Sequence, residues 1–158
     1  MMQATINHNN KTYQIDLSKP LDISMPLKGG KNNPTAWYVN EPRFEPVMEN
    51  GFVGDVNLGG AVNFRNIFFN PHGHGTHTEC VGHISKEKYT INQCLKEFFF
   101  LAELISVEPE KIGDDLIITF AQIKSEWKNN GAKAIVIRTL PNIIDKLEMQ
   151  YSSTNPPF

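Results

Sequence analysis

Cysteine is scarce in this chain of 158 residues: only Cys80 and Cys94 occur. Two thiols can build neither a disulfide framework nor a four-cysteine zinc site, so reduced thiols are expected. Also missing is any apolar run near the roughly 20 residues that cross a bilayer. Residues 1–11 are polar and lack the apolar stretch and cleavage pattern of a secretory signal. A cytoplasmic protein without a membrane partner is the expectation. There is no basic excess either, since 15 Lys and Arg stand against 17 Asp and Glu, for a net charge of −2, and the charges are scattered. Nucleic acid is therefore excluded as the expected partner. Repeats and low-complexity tracts are absent. The composition that remains, 40% apolar and 20% charged, is that of a globular chain, and the length suits one domain over residues 1–158.

Along the chain, residues 12–17 alternate Tyr13, Ile15 and Leu17 with polar neighbours and predict a half-buried edge strand, stopped by Ser18, Lys19 and Pro20. Residues 22–46 hold four prolines, Gly29-Gly30 and Asn32-Asn33, with Trp37 and Tyr38 among them. This is the composition of a long surface loop, and loops of that length commonly cover a site. Strands are predicted over 52–57 and 61–69, separated by a Gly59-Gly60 turn, and the second delivers the segment that begins at Pro71. Residues 92–107 fit either a helix or a buried strand. A strand over 116–120, a helix over 121–128 and a strand over 134–138 form a unit that predicts some parallel pairing, giving an α/β fold with a mixed sheet. Cys94 reads as core, and Arg138, inside an apolar strand, reads as needing a buried partner or an anionic ligand.

Four of the five histidines fall within twelve residues: His72, His74, His77 and His83, in the run Pro71-His72-Gly73-His74-Gly75-Thr76-His77-Thr78-Glu79-Cys80-Val81-Gly82-His83. Gly73 and Gly75 argue against a helix, while an extended segment puts His77 and Glu79, two apart, on one face. His72 and His74 lie at odd separations from His77, so a glycine-permitted bulge or turn is needed to bring one of them round. Two imidazoles and a carboxylate suit zinc, manganese or ferrous iron and leave coordination positions open for water and substrate. Cys80 is either a ligand or nucleophile paired with His83 or, as is commoner for a free cysteine, a buried inert thiol.

The segment from Gly75-Thr76-His77-Thr78-Glu79 to His83 resembles the HxGTHxDxPxH motif of the metal-dependent cyclase-like hydrolases, the family of bacterial kynurenine formamidase and isatin hydrolase. Asp16-Leu17-Ser18-Lys19-Pro20-Leu21 is similar to that family's N-terminal strand and loop, and Ile137-Arg138-Thr139 to its later IRT strand. The resemblance implies a swivelling β/β/α fold, hydrolysis of amide bonds with a divalent metal (Zn or Mn), and a homo-oligomer, commonly a dimer. It makes His77 the second histidine ligand, Glu79 the carboxylate ligand and His83 the general base or acid. The motif's first histidine falls in register at Gly73, so with one extra residue His72 is the match and His74 the competitor. Glu79 stands where the family has aspartate, and Val81-Gly82 stand where it has a proline before the last histidine. The family's domain continues further and supplies another histidine and a glutamate, so the resemblance implies that this chain is its N-terminal portion.

The expected chemistry is arylformamidase-like, with N-formylkynurenine or a related cyclic or aryl amide as substrate and His83 moving the proton between water and the leaving nitrogen. Trp37 and Tyr38 would supply an apolar wall for an aromatic substrate. Two rival readings use the same residues: a two-histidine, one-carboxylate Fe(II) oxygenase, and a catalytically impaired, metal-binding remnant of the family.

Overall fold

The computed structural model describes residues 2–152. Strands β1 (Gln3–His8) and β2 (Lys11–Asp16) form an antiparallel hairpin. Its tight turn holds Asn9 and Asn10 at φ 48° and 59°, a region that asparagine tolerates better than most residues. The strand expected over 12–17 is β2. Its partner carries only Ala4 and Ile6 as alternating apolar positions, too weak a pattern to announce a strand.

The proline-rich loop ends in β3 (Arg43–Pro46), followed by a minimal hairpin of β4 (Met48–Glu49) and β5 (Phe52–Val53). The strand expected over 52–57 stops short because Asp55 caps a single 3₁₀ turn, Val56–Leu58, its carboxylate accepting the Asn57 N–H at 2.8 Å. A side-chain cap of this kind outweighs the strand preference of one valine. Gly59 then leaves the turn at φ 90°. As a result β6 (Arg65–Phe68), the ordered part of the strand expected over 61–69, pairs antiparallel with β3 instead of with residues 52–57.

After β6 come a one-turn helix α1 (Pro71–His74), a 3₁₀ turn at Val81–His83 and a one-turn helix α2 (Ile91–Cys94). Strand β7 (Ala102–Val107) follows, so the ambiguous stretch 92–107 is partly helix and partly strand. Strands β8 (Glu110–Ile112) and β9 (Asp115–Ile117) make a hairpin about Gly113, at φ 65°. Helix α3 (Phe120–Glu126) has a capping box of Thr119 and Gln122 and leads towards β10 (Ala134–Thr139).

The parallel pairing expected near the C-terminus exists, but with a different first strand. β10 pairs with β7 from Ala134↔Ala102 to Thr139↔Val107, whereas residues 115–117 belong to the hairpin. Ile105 and Val107 of β7 are the buried apolar core among the described residues, and Glu103 beside them is buried with one oxygen accepting the Lys128 N–H at 2.6 Å. Two expectations fail here. Cys94 is exposed at the end of the single-turn helix α2. Arg138 is exposed as well and its Nε donates to Ser106 Oγ across the pair at 3.0 Å, so it needs no buried anion.

Among the described residues every sheet is two-stranded, four antiparallel and one parallel, with short helices between them, an arrangement compatible with an α/β cyclase-like fold. No described helix is long and apolar enough to cross a membrane. The chain exposes 12642 Å², where a closed monomer of this mass exposes about 8,000 Å². Phe98, Phe99 and Phe120 are among the apolar side chains left open.

Candidate metal centre

Strand β6 delivers the chain to Asn70, and the next residues start a helix for a local reason. The Asn70 side chain accepts the His72 N–H at 3.0 Å, and Pro71 occupies the first helical position, where its missing N–H costs nothing. The expectation that Gly73 excludes helix is thus corrected. Gly73 is needed for packing: a Cβ there would lie 2.6 Å from Val39 Cγ2 and 3.1 Å from the Ala36 carbonyl. This close approach lets the Ala36 N–H donate to the Gly73 carbonyl at 2.9 Å, docking the turn on the proline-rich loop.

One turn of helix points His72 and His74 in opposite directions. His74 is buried at 3% exposure, its Nδ1 accepting the Asn70 N–H at 2.8 Å and its Nε2 lying 2.7 Å from the Asn40 carbonyl. Since a carbonyl only accepts, the proton sits on Nε2, and both ring nitrogens are committed. His74 is therefore a structural residue in this arrangement. Asn33, fully buried, completes the underside by donating to the Pro34 and His74 carbonyls and accepting the Lys28 N–H.

His72 faces the other way, into an exposed cluster. His72 Nδ1 lies 3.1 Å, His77 Nε2 3.5 Å and His83 Nδ1 3.6 Å from the same oxygen, Glu79 Oε2. The donor atoms of His72, His77 and Glu79 all lie within 4.8 Å of one another. The His72–Glu79 and His77–Glu79 separations, 3.1 and 3.5 Å, are close to the about 3.0–3.4 Å between atoms that lie about 2.1 Å from one ion at tetrahedral or octahedral angles. His77 Nδ1 is 2.9 Å from the Gly75 carbonyl, which fixes the proton there and leaves the Nε2 lone pair facing Glu79. The His83 ring stacks on His72 at 4.3 Å between centroids, beside the three donors.

The cluster opens on a cleft of about 420 Å³ that Trp37, Val39 and Asn70 also line. Trp37 and Tyr38 sit at φ 59° and 58°, a left-handed conformation that is costly for bulky side chains and is held by its surroundings. Here the Ala36–Gly73 bond precedes the pair, and the Tyr38 N–H donates to Ser152 Oγ behind it. Trp37 reaches the cleft. Tyr38 does not line it.

Cys80 lies outside the cluster, its thiol 3.7 Å from the Tyr89 carbonyl, and on the facing turn desolvation and a hydrogen bond with Cys80 push the Cys94 thiol pKa up. Three supporting residues carried little sequence signal: Asn33, Asn40 and Val39. Asn70 did carry one, because Asn-Pro before a run of polar residues is a helix-start signature. The late family histidine and glutamate have no counterpart among residues 2–152 that joins the cluster. Residues 153–158, which include Asn155-Pro156-Pro157, lie outside the described residues.

A family model described as "Putative cyclase" matches residues 15–155. No curated protein and no solved structure matches the chain.

Proposed function

The chain belongs to this cyclase family, and from that membership and the histidine cluster we propose that it is a metal-dependent amide hydrolase of the arylformamidase type. The observation that carries the proposal is the convergence of two imidazoles and a carboxylate, their donor atoms within 4.8 Å of one another, on an open cleft. His72, His77 and Glu79 would hold the ion. Nitrogen and carboxylate donors without thiolate suit Zn²⁺ or Mn²⁺. A divalent ion bound there supplies Lewis acidity, lowering the pKa of water and polarising the substrate carbonyl.

The remaining work belongs to the chain's own groups. His83, beside the donor set, accepts the proton of the attacking water at a ring nitrogen and returns it to the leaving nitrogen as the C–N bond breaks. Trp37 provides an apolar surface for a flat aryl group, which favours an aryl or cyclic amide such as N-formylkynurenine. The Gly75 carbonyl keeps His77 in the ligating tautomer.

The same donor set supports a second reading, Fe(II)-dependent oxygen chemistry on a two-histidine, one-carboxylate site. One experiment separates the two. The chain is loaded with Zn²⁺, Mn²⁺ or Fe²⁺ and given an N-formyl arylamine with and without oxygen. Hydrolysis predicts formate release with Zn²⁺ or Mn²⁺ that is indifferent to oxygen. Turnover only with Fe²⁺ and oxygen would replace this reading by the oxygenase, and stoichiometric metal without turnover would leave the impaired remnant.

The proposal extends to assembly and place. The excess of exposed surface is on the scale of an obligate interface, and among the described residues β7 and β10 are a two-stranded parallel pair, a kind of sheet normally covered on both faces. A homo-oligomer of a cytoplasmic enzyme, with the small sheets assembled into the swivelling β/β/α architecture, is the reading these features support. Sedimentation showing only monomer at micromolar concentration would remove the oligomer.

A further inference from the structure

A second cavity lies at the carboxyl ends of the parallel strands, the end of such sheets where ligands bind. Strand β7 runs out into Glu108 and Pro109, and β10 into Leu140 and Pro141, with the Leu140 N–H donating to the Val107 carbonyl at 2.9 Å to hold the two exits together. The 3₁₀ segment Ile144–Glu148 follows and supplies another wall through Lys146. Its end is pinned to the proline-rich loop: the Thr35 N–H donates to the Met149 carbonyl at 3.2 Å, and the Thr35 carbonyl accepts the Tyr151 N–H at 2.7 Å. The cavity between these segments holds about 310 Å³, and Leu116, Leu140, Ile143 and Met149 make its lining largely apolar. No described residue lines both this cavity and the histidine cleft.

Two charges of opposite sign, Lys146 and Glu108, line the same cavity. Lys146 Nζ donates to Thr139 Oγ1 at 3.0 Å and to Asn142 Oδ1 at 2.9 Å. Both acceptors are neutral, so they hold the ammonium in place without cancelling its charge, and one of its three donors is left over. Among the described residues neither Lys146 nor Glu108 forms an ion pair. Burial pushes the Tyr151 phenol pKa up, so its ring adds an uncharged side to the cavity.

We propose that this cavity binds a free α-amino acid with an apolar side chain of about the size of leucine, its carboxylate on Lys146, its ammonium on Glu108 and its side chain among the apolar residues. Charge complementarity selects this class. A simple carboxylate would bring a second negative charge beside Glu108, and a simple amine would leave Lys146 unpaired. The volume is at the small end of ligand pockets, about 300–1,000 Å³, and suits one side chain rather than a peptide. The site stands whether or not the histidine cluster hydrolyses amides.

The test titrates L-leucine into the full chain by calorimetry, alongside 4-methylpentanoate, which lacks the ammonium, and 3-methylbutylamine, which lacks the carboxylate. Leucine should bind at one per chain, about tenfold or more tighter than either analogue. Lys146→Met should weaken leucine by about tenfold or more, and Glu108→Gln should erase the preference for leucine over 4-methylpentanoate. His77→Ala should leave the leucine affinity unchanged. No leucine bound up to millimolar concentration, an analogue that binds as tightly as leucine, or an affinity indifferent to both Lys146→Met and Glu108→Gln would each overturn the proposal. So would an affinity that His77→Ala removes, which would place the ligand on a metal at the cluster. The wild-type comparison of the three ligands decides the matter even where a variant fails to fold.

Discussion

The two faces of the turn at Pro71–His74 make opposite uses of the same residue type. On the underside, His74 is buried with both ring nitrogens bonded, and Asn33 beneath it is buried with its amide satisfied. On the outer face His72, His77 and His83 keep between about a quarter and a half of their side-chain surface exposed and share one carboxylate oxygen. A histidine with two fixed partners has no lone pair to give, whereas one in an open cluster of donors does. The underside therefore holds the turn in place, and the outer face keeps its imidazoles open to the cleft. Substitutions on the two faces should separate stability from metal binding.

The largest effect is expected for His77→Ala. Removing one of three donors should weaken Zn²⁺ or Mn²⁺ binding by about 100-fold or more and abolish turnover, while thermal unfolding of the apo chain barely moves. Metal retained at one ion per chain after dialysis against a weak chelator would take His77 out of the site. His83→Ala sharpens the contrast within the outer face. It should leave metal content intact and lower the rate of amide hydrolysis by about 10²–10⁴-fold, the usual worth of a positioned acid–base group. An unchanged rate would deny it the proton transfer.

Asn33→Ala tests the underside. It leaves the Lys28 N–H and the Pro34 and His74 carbonyls without their partner, which should cost about 2–3 kcal/mol in urea unfolding. Metal affinity should fall only as far as the turn loses its docking. A variant that unfolds like wild type yet loses metal would invert the division between the faces.

How much of this was legible in the sequence follows from how local each cause is. The crowding of His72, His74, His77 and His83 with Glu79 marked the cluster that the fold gathers, apart from His74, because residue type and spacing are carried by neighbouring residues. The turn that places His72 in the cluster and buries His74 was half legible: Asn70 and Pro71 announce a helix start, but the glycine at 73 argued the other way. Its true reason, contact with Val39 and Ala36, lies more than thirty residues away. Strand existence was readable at β2 and β10, but the partner of β6 and the first strand of the parallel pair were not, since pairing is decided by the Asp55 cap and by the chain's return path. Cys94 was misread because an apolar neighbourhood in sequence does not guarantee a cover in space.

The smallest effect concerns a part of the molecule that only delivers the turn. Asp55 accepts the Asn57 N–H at 2.8 Å and the Arg65 guanidinium at 2.7 Å, and Arg65 begins the strand that leads into Asn70. The backbone hydrogen bond from Asn57 first, and then the bond from Arg65, hold the Asp55 carboxyl below the usual carboxylate range. A folded pKa below the unfolded value, about 3.9 for aspartate, contributes stability that is fully present above the unfolded value. That stability is lost as pH falls through the folded one. Asp55→Asn keeps a capping oxygen but not the charge. It should therefore unfold at slightly lower urea than wild type near neutral pH, with the gap closing as pH drops below about 4, while metal binding at neutral pH stays unchanged. A gap of constant size across that range would mean that the Asp55 charge contributes nothing to the fold, and a loss of metal would mean that the delivering strand and the cluster are not separable.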